Sequence, residues 1–189
     1  MNMGKLDEQL IFNERFEDEM DSEWFWIREN PERWRIRDCG LEIVVEPGVA
    51  GTVRNALVRP APDRSTGVYA IEVTIMNHRA PTQQYEQAGI TWYQDGEPVF
   101  KEVKELVDGE VFIIPGSKAM PSQSVRLRLV VDAESWEAQY RPEGASAFET
   151  AATGELAPAD NEQVSIQCYN GPPEEEHWIR FEDFRILRI

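Results

Sequence analysis

Residues 86–110 read EQAGITWYQDGEPVFKEVKELVDGE, and two features of that stretch decide the fold. Ala88, Ile90 and Trp92 fall on one side of an extended chain and Gln87, Gly89, Thr91 and Tyr93 on the other, the period of a half-buried strand. Asp-Gly pairs at 95–96 and 108–109 then supply the positive-φ residues that reverse a chain within two positions. PVFKEVKELV, between them, has some helical spacing. A turn at each end and its charged side chains favour a strand with a charged edge.

The same rhythm runs outward from this hairpin through VYAIEVTIMNH (68–78), SVRLRLVVD (124–132), EAQYRPE (137–143), QVSIQCYN (163–170) and HWIRFEDFRILRI (177–189). Val125, Leu127, Leu129 and Val131 form one inward set and Val164, Ile166 and Cys168 another. DCG, EPGVAG, IPGS, RPEG and NGPP punctuate the runs, and no segment of a dozen residues reads as an amphipathic helix. The pattern predicts an all-β fold: two antiparallel sheets of about a dozen strands in all, packed face to face, in a single domain over 1–189.

Composition narrows the partners. With 19 Lys and Arg against 35 Asp and Glu, a net charge of −16 repels phosphate backbones and anionic lipid, so neither nucleic acid nor membrane is an expected partner of this acidic chain. The opening residues lack the apolar stretch of a secretory signal and no run of about 18 apolar residues occurs, which points to a cytoplasmic protein, monomer or homodimer. Cys39 and Cys168 are then expected as two reduced thiols.

WFWIRENPERWRIRDCGLEI, NALVRP, YEQAGITWYQDGEPVFKEVKELVDGE, VRLRLVV and WIRFEDFRI follow one another in an order that resembles the concanavalin A-like β-sandwich domains of the regulation-of-enolase family. The pattern is also similar to the C-terminal sandwich domain of family 43 β-xylosidases, and it covers the chain from about Phe12 to the end. The resemblance implies a concanavalin A-like jelly roll with a lectin-like surface, and it brings no shared catalytic residues.

A sugar ring offers an apolar C–H face and a rim of hydroxyls, so its recognition calls for aromatic rings and planar hydrogen-bonding groups. Outward positions carry both: Gln87, Thr91 and Tyr93 on one strand, Arg126 and Arg128 on a second, Gln167 and Tyr169 on a third, with Trp26 and Arg28 as additions. On a concave sheet these would converge on a carbohydrate. Arg, Tyr and Trp equally suit a protein partner, which is the alternative the enolase-regulator resemblance implies. In residues 24–28, Phe25 and Ile27 are expected to face inward and the tryptophans outward.

Two further sets complete the candidates. Glu19, Asp21 and Glu23 would share one face of a strand, the spacing of nucleophile, helper and acid in laminarinase-type retaining glycosidases, which need the flanking pair about 5–5.5 Å apart. Against that reading, the three lie in an acidic run near the N-terminus. Asp18, Asp21 and Asp183 are oxygen ligands of the type a structural calcium takes, without a diagnostic spacing. His78 and His177, the only histidines, lack the neighbours of a zinc site.

Overall fold

In the computed structural model, which describes residues 8–189, both Asp-Gly pairs reverse the chain. Asp95 and Gly96 have φ of 52° and 82°, Asp108 and Gly109 of 51° and 86°. Asp38 and Cys39, at 50° and 58°, close a third two-residue hairpin of the same left-handed type.

Among the described residues, fifteen strands result. One sheet, A, contains β1 (Gln9–Glu14), β3 (Trp34–Arg37), β4 (Gly40–Val44), β6 (Tyr69–Asn77), β11 (Ser124–Val131), β12 (Ser135–Pro142), β13 (Glu149–Glu155) and β15 (Trp178–Arg188). The other, B, contains β2 (Phe25–Ile27), β5 (Ala56–Pro60), β7 (Gln87–Gln94), β8 (Glu97–Val107), β9 (Glu110–Ile114), β10 (Lys118–Ala119) and β14 (Glu162–Tyr169). Sheet A runs β13-β12-β11-β6-β15-β4-β3, with β1 on the second half of β15, and sheet B runs β10-β9-β8-β7-β14-β5-β2. Every pairing is antiparallel. The count exceeds a dozen because β2, β3 and β10 hold only two to four residues each, too few for alternation to announce. Among the described residues a single 3-10 turn, Pro31–Arg33, interrupts the strands, and no helix is long and apolar enough to cross a membrane.

The core lies between the sheets. Ala88, Ile90 and Trp92 of β7 and Val164, Ile166 and Cys168 of β14 meet Ile71, Val73 and Ile75 of β6 and Val125, Leu127, Leu129 and Val131 of β11 in one buried cluster. Full burial of each Val, Leu or Ile is worth roughly 1.5–3 kcal/mol, so these rows dominate the energetics. Both cysteines are free; Cys168 is buried, which pushes its thiol well up and leaves it unreactive.

Polar groups fasten the margins. Arg64, 3% exposed, pairs with Glu162 at 2.8 Å and donates to the main-chain carbonyls of Asp132, Ala133, Leu156 and Ala157, so one guanidinium ties the β11–β12 turn to the β13–β14 connection. Arg59, buried on β5, pairs with Glu23 at 2.5 Å and lies over the rings of Phe12 and Trp24. Burial lowers its affinity for a proton, and the charges of Glu23, Asp21 and Glu14 offset part of that.

Two ionisable groups on β8 point between the sheets. Lys104, opposite Ala88, gives its ammonium to the carbonyls of Ser122 and Gln123, and burial lowers it to about 8. Glu102, opposite Ile90, is fully buried; burial drives its carboxyl well above the ordinary 4.5, and main-chain N–H groups of Arg128 and Gln139 draw it back only in part.

A folded-state acid raised in this way contributes stability that is complete below about pH 4.5 and is lost as pH rises through its folded value. Glu102→Gln is therefore expected to melt with the parent at pH 4 and above it at pH 8; an equal shift at both would show that ionisation is not the cause. Arg64→Met, which strands the Glu162 carboxylate, is expected to cost about 3–5 kcal/mol in chemical denaturation.

Candidate functional site

Because β7, β14 and β5 are neighbours in sheet B, the residues between their core positions share its outer face. The β7–β14 register sets Gln87 opposite Tyr169, Gly89 opposite Gln167, Thr91 opposite Ser165 and Tyr93 opposite Gln163. On the far side of β7, Glu105, Val103 and Lys101 of β8 stand opposite Gln87, Gly89 and Thr91. Five of the nine residues that the sequence assigns to a ligand surface, Gln87, Thr91, Tyr93, Gln167 and Tyr169, thus lie together.

Hydrogen bonds form two separate groups here, one around Gln167 and one around Gln87, and neither includes the side chain of Thr91 or Tyr169. Tyr93 Oη donates to Gln167 Oε1 at 2.9 Å, and Ser165 Oγ to the same oxygen at 3.0 Å. Lys101 Nζ donates to Gln87 Oε1 at 2.6 Å and to Glu105 Oε2 at 3.3 Å, and Gln87 Nε2 donates to Glu105 Oε1 at 3.1 Å. Lys101 also sits 5.9 Å from the centroid of the Tyr169 ring. Burial pushes the Tyr93 phenol up, with the Gln167 hydrogen bond and the charge of Arg28 offsetting part of the rise. Burial, reinforced by Glu105, raises Tyr169 as well, so both remain hydroxyl donors near neutral pH. Two polar atoms of this layer are buried without a partner among the described residues: Gln167 Nε2 and Thr91 Oγ1.

Arg126 and Arg128 belong elsewhere. They lie on β11 of sheet A and face outward from it, so the two sheets separate them from Tyr93 and Tyr169, and the expected convergence of all the guanidinium, amide and phenol groups does not occur. Arg126 is held by Glu72 at 2.8 Å, Asp183 at 3.2 Å and Thr74 at 3.0 Å, beside a hollow of about 350 Å³. Arg128 is held by Glu8 at 2.7 Å and Glu72 at 3.3 Å. These guanidiniums serve an ion-pair ladder across sheet A.

The tryptophans also reverse the expectation. Trp26 stands opposite Leu57, an inward position of β5, and packs against the core with its ring 4.7 Å from that of Trp34. Trp24 meets Phe184 edge-on at 4.9 Å. Phe25 and Ile27 face outward instead, Ile27 onto a small apolar cluster and Phe25 at the sheet margin, 41% exposed. Arg28 remains near the sheet-B face: its Nε donates to the Val53 carbonyl at 2.6 Å.

Residues 15–24 form a loop with bends and a turn, so Glu19, Asp21 and Glu23 do not share a strand face. Glu23 is bound to Arg59, Asp21 accepts from the Glu23 N–H at 2.9 Å, and Glu19 is exposed. Of the calcium candidates, Asp183 lies between Arg126 and Arg185, at 3.2 and 2.7 Å, Asp21 is used as just described, and Asp18 is exposed. No group of three or more potential metal ligands occurs among the described residues.

Sequence reading missed Lys101, Glu105, Ser165 and Val53. Alternation along β8 and β14 was the available signal for the first three. Val53 comes from a loop, where no period applies.

No family model matches the chain, and no curated protein matches it either. Solved structures resemble it in fold. The GH43 protein BlXynB from Bacillus licheniformis aligns with 94% of this chain at 19% identity and a TM-score of 0.73. The xylan β-1,4-xylosidase from Bacillus halodurans C-125 aligns with 92% at 14% identity and a TM-score of 0.71. The chain spans 39% and 38% of those two proteins' lengths. The CBM2 module of the evolved Dit from Lactobacillus casei BL23 phage J-1 matches over 96% of both chains, at 7% identity and a TM-score of 0.57. At these identities the likeness establishes the β-sandwich fold alone.

Gly89 sets the depth of the layer, since a Cβ there would collide with the Glu102 carbonyl oxygen and crowd Val103 on β8. Gly89→Ala is expected to lower stability by about 1–3 kcal/mol, measured by denaturant titration.

Proposed function

We propose that the chain is a non-catalytic, lectin-like module that holds a carbohydrate against the outer face of sheet B. The observation that carries this reading is the polar layer on β7 and β14, where Gln167 Nε2 and Thr91 Oγ1 are buried without partners beside the phenols of Tyr93 and Tyr169. Other buried atoms, such as Trp92 Nε1 and Arg128 Nε, are unpaired too; what marks these two is their shared place on one outer face, where a ligand or ordered water can supply the hydrogen bonds they lack. Hydroxyls of a sugar ring can both donate and accept, which suits an amide beside a hydroxyl. The fold likeness to carbohydrate-active proteins is in keeping with this reading, and so is the placement of Lys101 and Glu105 as further hydrogen-bonding groups.

The margin of the same sheet favours the second reading, a regulatory protein-interaction domain of the enolase-regulator kind. Phe25 on β2, an edge strand of the sheet, is 41% exposed beside the half-buried Ile27, and an aromatic side chain at such an edge suits a protein surface. The two readings differ in which residues carry binding.

Thermal melts across a panel of neutral and acidic oligosaccharides separate them. A ligand at 100 times its Kd should stabilise the fold by about 2.7 kcal/mol. Tyr93→Phe and Gln167→Ala are expected to weaken binding tenfold or more, whereas Arg141→Ala, on the opposite sheet, leaves it unchanged. A panel that moves no midpoint removes the carbohydrate reading, and loss of a protein partner on Phe25→Ala alone would establish the alternative.

A further inference from the structure

The side chains of the sheet-B layer point away from the core, yet Gln167, Thr91, Tyr93 and Tyr169 are all at least nine-tenths buried. An outer face reaches such burial only when something lies over it. Part of the cover is the segment between β4 and β5, residues 46–55, which reads EPGVAGTVRN. Val53, 1% exposed, forms a small cluster with Val58, Ala56 and Tyr169, against which Ala50 and Ile27 pack. Ala56 and Val58 are the outward residues of β5, and Gln167 lies one step beyond the Ile166–Leu57 pair, beside Ala56. Val53 therefore covers an apolar patch, with an aromatic ring in it, immediately next to the unpaired amide.

The segment is fastened at its ends and lightly in between. At one end the Gly171 N–H donates to the Glu46 carbonyl at 3.1 Å; at the other, Asn30 N–H donates to Asn55 Oδ1 at 2.6 Å and Asn55 N–H to the Arg28 carbonyl at 3.2 Å. Between those anchors Val49 and Thr52 bond only to each other, at 2.8 Å between the Thr52 nitrogen and the Val49 carbonyl, and Val53 accepts from Arg28 Nε at 2.6 Å. Gly48 has φ of 139°, open to few other residues, and a Cβ at Gly51 would meet nothing.

We infer that residues 46–55 are a gate whose Val53 side chain occupies, in the closed protein, the place of a sugar's apolar face on Tyr169 and Val58. Lifting the segment about its two anchors breaks one hydrogen bond, from Arg28 to Val53, and uncovers the Tyr169 ring and the Ala56–Val58 patch beside the Gln167 amide. Those are the complements of a pyranose: a stacking surface for its C–H face next to partners for its hydroxyls. The inference deepens the carbohydrate reading and rests on it for the identity of the occupant, while the gate itself is measurable without any ligand.

Two variants move the gate in opposite directions. Val53→Ser removes the apolar plug, and Gly51→Ala stiffens the span without a clash. Amide hydrogen exchange on the full chain should show residues 49–54 at least 100-fold less protected than β11, a further tenfold less in Val53→Ser and more in Gly51→Ala. Exchange in β11 should stay unchanged in both, which distinguishes gate opening from global destabilisation. With an oligosaccharide that raises the melting midpoint, association should be faster for Val53→Ser and slower for Gly51→Ala, since the closed state taxes binding. Equal protection of 49–54 and β11 in the parent overturns the gate, as does an association rate that ignores both variants. Absence of binding by parent and Val53→Ser alike overturns the carbohydrate reading instead, leaving the exchange result to decide the gate.

Discussion

The burial of alternate side chains between two antiparallel sheets is the constraint from which the rest of this structure follows. Once Ile90, Trp92, Val164 and Ile166 are committed to the interior, period two assigns Thr91, Tyr93, Ser165 and Gln167 to the outside, and strand order places those four on adjacent strands. The polar layer is thus the other side of the core, and a one-residue slip of β7 against β14 would bury Gln87, Thr91 and Tyr93 and expose Trp92. Arg64, Arg59 and the buried His177–Glu86 pair, at 2.7 Å, hold the margins where the apolar rows run out. The two guanidiniums leave buried charge that depends on its partner, so these contacts fix the geometry at least as much as they stabilise it.

The two outer faces have opposite characters although one alternation produces both. On sheet A, Arg35, Arg126, Arg128, Arg180 and Arg185 are interleaved with Glu42, Glu72, Asp183 and Glu8 across neighbouring strands. Cross-strand neighbours of opposite sign are favourable, and with 35 acidic residues against 19 basic ones the chain has carboxylates to satisfy nearly every guanidinium. On sheet B, amides, hydroxyls and phenols predominate, with the Lys101–Glu105 pair set among them. Arg126 and Arg128, which look available in the sequence, are both held by acids, although Arg128 Nε is buried without a partner among the described residues.

Much of this was legible in advance. The all-β sandwich, the hairpins at Asp95-Gly96 and Asp108-Gly109, the reading of PVFKEVKELV as a strand and the inward rows of β7, β11 and β14 all follow from local rules of period and turn chemistry. What failed was long-range. Nothing within SVRLRLVVD says that β11 pairs with β6 and so lies in the opposite sheet from β7. Nor does FWI say which side faces in, because both of its faces are apolar; the choice falls to its partner Leu57. Glu19, Asp21 and Glu23 alternate on paper, but spacing has meaning only in extended chain, and those residues lie in a bent loop of which Glu23 binds Arg59. Val53 was out of reach for the same reason: a loop residue acquires a place only when the sheet beneath it exists.

The hairpins and the crossover segments answer differently to insertion. In the three two-residue reversals, one added residue shifts register and turns every following side chain to the wrong sheet face. The 46–55 span passes from one sheet to the other, and its length enters no ladder. Chains with this fold can therefore lengthen or shorten that span while both sheets stay as they are, so that the surface over sheet B can vary almost independently of the architecture beneath it.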